Sequence, residues 1–130
     1  MPEYSDIYII TGKRDRATVE KFLQHFLPQR EESADEYTVP QYSDNPEIIF
    51  KKAFELVEHC EINSNVDHSI YWRARGGRKP EHGMVFYLED GNAIYGLSTD
   101  AENHRYAKSL LHEMKTFFNV SHGYIGHEAS

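Results

Sequence analysis

Cysteine occurs once in this chain of 130 residues, as Cys60, so no internal disulfide can form and a reducing compartment is the expected setting. No apolar run approaches the roughly 18 residues that a membrane helix needs. The start, Met1-Pro2-Glu3-Tyr4-Ser5-Asp6, has neither the basic nor the apolar region of a secretory signal, and the cytoplasm is the expected location. Positive charge is also scarce. Lys and Arg number 14 against 21 Asp and Glu, a formal −7, which disfavours direct binding of nucleic-acid phosphates. Internal repeats and low-complexity tracts are absent. What the chain does have is aromatic mass. Seven Phe, nine Tyr and one Trp exclude global disorder and suffice for one core, so residues 1–130 read as a single domain.

Periodicity divides the chain into elements. Ile7-Tyr8-Ile9-Ile10, punctuated by Thr11-Gly12, reads as a first strand. Asp15 can cap a helix whose stripe is Val19, Phe22, Leu23, Phe26 and Leu27, and Pro28 stops it. Residues 29–45 are irregular apart from a short strand at Tyr37-Thr38-Val39. Asn45, Pro46 and Glu47 have the chemistry of a helix start, and Ile49, Ala53, Leu56, Val57 and Cys60 supply a second apolar face that Phe50 and Phe54 widen. From Ser69 to Arg75 the period is two, with Ile70, Trp72 and Ala74 on one side and Tyr71, Arg73 and Arg75 on the other. A loop at 76–83 leads to a strand over Met84–Glu89. Asp90-Gly91 signals a hairpin with a type I′ turn, returning through Ala93–Ser98. Thr99 and Glu102 suit a capping box opening a third helix, with Ala107, Leu110, Leu111, Met114, Phe117 and Phe118 as its stripe. Tyr124-Ile125 suits a last edge strand. The order β-α-(β)-α-β-β-β-α-(β) predicts an α+β fold: an antiparallel sheet packed by about three helices.

Catalytic signatures are few. Eight histidines invite a metal reading, but close ligand pairs such as H-E-x-x-H are missing, and His104 and His112 lie two helical turns apart. His122, His127 and Glu128 could converge across a short strand, yet no metal is expected. Cys60 falls on an apolar stripe, which marks a packing thiol rather than a nucleophile. Gly76-Gly77-Arg78-Lys79 lacks the strand-to-helix context and the following Ser/Thr of a phosphate loop. No cofactor is implied.

Charge is unevenly placed. From Arg30 to Glu61 there are nine acids against three bases, a net −6 that accounts for most of the chain's charge. Tyr37 and Tyr42 lie inside this segment, and tyrosines among acids suit a protein-binding face. Glu31, Glu32, Asp35, Glu36, Tyr37, Tyr42 and Asp44 are therefore the candidate partner-binding residues, against the plainer reading of a solubilising surface. Arg73, Arg75, Arg78 and Lys79 form the alternative, an anion or partner contact, against a basic edge that discourages sheet-to-sheet pairing. Tyr71, Trp72, Tyr87 and Tyr95 could line an aromatic pocket, although large aromatics on strands more often fill a core.

Phe26-Leu27-Pro28, Tyr37 with Pro40-Gln41-Tyr42-Ser43-Asp44-Asn45-Pro46, Ser69-Ile70-Tyr71-Trp72, Asp90-Gly91, Gly96-Leu97-Ser98 and Gly123-Tyr124-Ile125 together resemble the small cytoplasmic immunity proteins of bacterial polymorphic-toxin systems. The resemblance is scattered along most of the chain and consists of turns and aromatic strands. It implies a non-enzymatic protein that binds and occludes a cognate toxin, often a basic nuclease, and it transfers no individual functional residue. The expectation is thus a binding protein that meets a basic protein partner through its acidic, Tyr-containing face. The alternative is a small-ligand or regulatory α+β module using an aromatic sheet pocket.

Overall fold

The computed structural model describes residues 4–100, 102 and 104–128, the last two through their backbone only. The β-branched run at the start forms β1 (Tyr4–Thr11), and Asp15 caps α1 (Arg16–Phe26) by accepting from the Thr18 amide at 3.2 Å and its hydroxyl at 2.7 Å. Then come three short strands, β2 (Arg30–Glu32), β3 (Tyr37–Val39) and β4 (Ile48–Phe50), followed by α2 (Ala53–Ile62). The meander β5 (His68–Ala74), β6 (His82–Tyr87) and β7 (Ala93–Asp100) leads to α3 (His104–Phe118) and β8 (Tyr124–Glu128). Six strands form one antiparallel sheet in the order β2-β5-β6-β7-β1-β8, and β3 and β4 pair separately. The fold is α+β, as the periodicity predicts. No helix among the described residues is long and apolar enough to cross a membrane.

All three helices lie on one face of the sheet. Trp72, Gly83 and Leu97 share that face with Ile7, because directly opposed residues on antiparallel strands point the same way. Phe54 of α2 packs on Trp72, Leu23 of α1 and the adjoining Leu27 cover Gly83, and Phe118 of α3 meets Tyr95 at 4.5 Å. Phe22 bridges α1 to Tyr95 and Phe118, at 5.1 and 5.9 Å. The core is thus a single layer of aromatic and aliphatic groups between helices and sheet.

Several local expectations are corrected. The second helix begins at Ala53, not near Pro46: Ile48-Ile49-Phe50 pair instead with Val39, Thr38 and Tyr37. The Asn-Pro-Glu signal makes a turn here, and the Glu55 carboxylate takes the cap, accepting from the Lys52 amide at 3.1 Å. Thr99 caps nothing. It is buried at the end of β7, where its hydroxyl donates to Glu81, and α3 starts at His104. The 88–92 hairpin is not type I′, since Gly91 alone has positive φ (91°) there; the Gly91 amide donates to Leu88 O and the Leu88 amide to Asn92 O, a type I turn with a glycine bulge. Leu111 is half-buried, while Ala107, Leu110, Met114 and Phe118 carry the buried stripe.

Candidate functional site

The acidic candidates separate into spent and free groups. Glu31 lies on β2 opposite Arg73 and pairs with it at 2.5 Å, with Arg75 at 3.8 Å. Two patches read as separate in sequence are therefore one edge of the sheet, where they offset each other. Glu32 accepts from the Tyr37 hydroxyl at 2.8 Å and from the Ala53 amide at 2.9 Å, setting a carboxylate at the start of α2 where the helix dipole favours it. Tyr37 is buried by these contacts, and desolvation raises its phenol pKa first of all. Glu36 pairs with Lys51 at 3.1 Å. Asp35, Tyr42 and Asp44 remain exposed.

Tyr42 is the most prominent. It is 86% exposed on the loop between β3 and β4, in a left-handed backbone conformation with φ 63°. The neighbouring Gln41 side chain lies against β5, accepting from the Ser69 amide at 2.9 Å and donating to the Ser69 carbonyl at 3.3 Å. Because β2 reaches only Trp72 to Ala74, this amide substitutes for a neighbouring strand on the first half of β5. His68 adds a second tie, with Nε2 2.8 Å from the Thr38 carbonyl.

Of the basic group, Lys79 pairs with Glu81 at 3.3 Å, and Arg78 turns back to the Arg75 carbonyl at 3.2 Å. Gly76 and Gly77 both take φ of 68°, which shapes the loop. Glu31 and Glu81 thus offset part of the positive charge of this edge.

Beyond the Tyr4–Asp100 pair, the sheet face opposite the helices carries three cross-strand rows. One row is aromatic: Tyr124, Tyr8, Gly96, Met84 and Tyr71 stand opposite one another across β8, β1, β7, β6 and β5. Gly96 leaves room there, since a Cβ would come within 3.1 Å of the Tyr8 ring and 3.0 Å of Met84 Cγ and press on both side chains. A second row holds Ile10, Ile94 and Phe86, and Phe86 bridges the rows by meeting Tyr71 at 5.7 Å and Tyr8 at 6.2 Å. The third row is polar: Asp6, Ser98, His82, Arg73 and Glu31. Between the aromatic and polar rows lies a cleft of about 440 Å³ whose lining includes Asp6, Ser98, His82 and Tyr4. A cavity of about 380 Å³ beneath Tyr42 adjoins it, because Tyr71 and His82 line both. The aromatic face therefore continues into the Tyr42 loop.

Chemically, this face combines partly exposed aromatic rings with a row of polar side chains. Asp6, Ser98 and His82 are the residue types of a hydrolytic triad, but the serine stands between the other two, and no hydrogen bond joins Ser98 to His82 among the described residues. Cys60 is buried, and burial pushes its thiol up to about 12 despite the nearby Arg14 guanidinium. No group of three or more metal-ligating side chains exists among the described residues, and the side chains of His127 and Glu128 lie outside them. Trp72, Tyr87 and Tyr95 are core residues; Tyr71 alone of that aromatic quartet faces outward. Sequence reasoning missed Asp6, Tyr8, Phe86 and Ser98. The available signal was the alternation Tyr4, Asp6, Tyr8, Ile10, obscured by the continuous apolar appearance of residues 7–10. No family model, curated protein or solved structure matches the chain.

Proposed function

We propose that this chain is a non-enzymatic protein-binding domain that neutralises a basic partner by covering it, in the manner of the immunity proteins its sequence resembles. The observation that carries the reading is the uncovered sheet face. Its aromatic row crosses five strands and joins the Tyr42 loop, with Tyr71 45% exposed and Tyr124 50% exposed. A continuous aromatic surface that no described element covers is what a protein-docking site needs, and tyrosines anchor such sites. The net charge of −7 favours a cationic partner and speeds its approach. The acidic segment contributes through exposed Asp44, two residues from Tyr42, while Glu31 and Glu32 hold the local structure together. A cytoplasmic location belongs to the same proposal and rests on the single buried thiol.

A photo-crosslinking amino acid tests this reading when placed at Tyr71 and, as a control, at exposed Gln24 on the helical layer. In cells of the source organism, the probe at position 71 should capture one discrete basic polypeptide, and the probe at 24 should not. Equal labelling from both positions, or none from 71, would remove the sheet face as the docking site.

A further inference from the structure

We infer that the cleft on the open sheet face receives the guanidinium of an arginine side chain from the partner polypeptide, an inference that rests on the protein-binding reading above. The first ground is Asp6. The residue as a whole is 9% exposed and lines the cleft, and no donor among the described residues hydrogen-bonds or ion-pairs with its carboxylate. Its oxygens are not among the fully buried polar atoms, so the carboxylate opens to the cleft, where an entering cation meets it directly.

The second ground is what surrounds it. Tyr4, Tyr8, Tyr71 and Phe86 wall the cleft, and these rings form contacting pairs: Tyr71 with Phe86, Phe86 with Tyr8, and Tyr8 onward with Tyr124 at 5.2 Å. Aromatic faces attract cations, most strongly where water is partly excluded. A carboxylate at the base of aromatic walls accommodates a planar guanidinium in two ways at once. Its fork of N–H donors reaches the carboxylate in a bidentate manner, and its plane stacks on a ring. Ser98, buried beside Asp6 in the polar row, offers a hydroxyl oxygen as a further acceptor.

The third ground is that no described cation of the face pairs with Asp6. Arg73 lies in the same polar row, but three strand spacings away and held by Glu31 at 2.5 Å. Asp100, opposite Tyr4 on this face, adds a second acid beside the cleft; its carboxylate accepts from the Glu102 amide at 3.0 Å. The local charge around the cleft therefore complements a cation, in agreement with the charge of the whole chain.

Backbone amide NMR of the intact chain, titrated with the peptide acetyl-Gly-Arg-Gly-amide, tests the inference. The expected result is saturable shifts centred on Tyr8, Gly96 and Ser98. The isosteric citrulline peptide, which lacks the charge, should bind at least about tenfold more weakly. Asp6→Asn should weaken arginine binding to a similar degree, and Tyr71→Ala by about two- to fivefold. Tyr71 is exposed, so its variant reports on the cleft even where a change at Asp6 disturbs the strand. Equal binding of the citrulline peptide, no saturable shift at these amides, or an Asp6→Asn protein that binds unchanged would overturn the inference. A lysine peptide that binds as tightly would overturn the choice of guanidinium. Crosslinking from position 71 without arginine selectivity would sink this inference alone, whereas arginine selectivity without crosslinking would sink the protein-binding reading.

Discussion

The two faces of the central sheet are built from similar residues and differ in what covers them. Ile7, Ile9, Ile70, Trp72, Val85, Tyr95 and Leu97 point toward the helices and are buried. Tyr8, Ile10, Tyr71, Phe86 and Tyr124 point away and are half-buried or exposed. Aromatic and branched side chains favour strands on either face, so strand propensity alone does not explain why they persist on the uncovered side. On the helical side burial repays them with folding stability. On the open side the reward is smaller, and this difference is what motivates the proposed docking role. The polar row follows the same division: Asp6, Ser98 and His82 stand on the side where no helix covers them.

The largest test of this contrast pairs one substitution on each side. Phe22 is buried between Phe26, Tyr95 and Phe118, and Phe22→Ala should cost about 3–5 kcal/mol. Tyr71→Ala, removing a ring of comparable size from the open face, should cost less than about 1 kcal/mol. Urea denaturation of both variants measures the difference. Comparable losses would mean that the open-face aromatics are structural and the contrast is false.

A somewhat smaller effect is expected at Arg14, which sits at the end of the covered layer. It is 7% exposed and has no carboxylate partner among the described residues. Its Nη1 donates to the Leu88 and Asn92 carbonyls at 3.0 and 3.1 Å, its Nη2 donates to Cys60 O at 3.0 Å, and its guanidinium lies over the Tyr87 ring. One side chain thereby joins the 88–92 hairpin to the last turn of α2, whose carbonyl end attracts a cation. Arg14→Met keeps the apolar stem and leaves those buried carbonyls without their donor, at a cost of about 2–4 kcal/mol. A thermal melt indistinguishable from that of the parent would show that the clamp is dispensable.

How much of this was legible depended on the range of each signal. Helix α1 was readable in full, because cap, stripe and terminating proline all lie within fourteen residues, Asp15 to Pro28. The meander was readable from its period of two and its glycine turn. The 30–50 segment was not, because its structure is decided at long range: Glu32 reaches Ala53, Gln41 reaches Ser69, and Glu31 meets Arg73. A local rule read Asn45-Pro46-Glu47 as a helix start, whereas pairing with Tyr37–Val39 made it a turn. Arg14 gave no sequence signal, since its partners are backbone carbonyls from three distant residues. The cleft was hidden for the same reason. Asp6, His82 and Ser98 become neighbours only through strand register, which composition and spacing along the chain do not encode.

The smallest expected effect sharpens the contrast, because it changes the covering layer without touching the open face. Asp15 caps α1, and its carboxyl is held below the usual carboxylate value chiefly by the Thr18 hydroxyl, with burial acting in the opposite direction. Removing the cap through Asp15→Ala should cost about 0.5–2 kcal/mol near neutral pH. The sign of the pH dependence follows from the direction of the shift. A carboxyl whose folded-state pKa is lowered adds stability above its unfolded value of about 4, and that contribution fades as the pH falls through the folded value. The gap between parent and Asp15→Ala should therefore be full at about pH 7 and narrower at about pH 3, as read by urea denaturation at each pH. Arginine-peptide binding to the variant near neutral pH should match the parent, since Asp15 belongs to the helical layer and the cleft lies on the other side of the sheet. A gap that widens on acidification would contradict the capping role, and a lost affinity for the peptide would mean that the two faces are coupled through the strands between them.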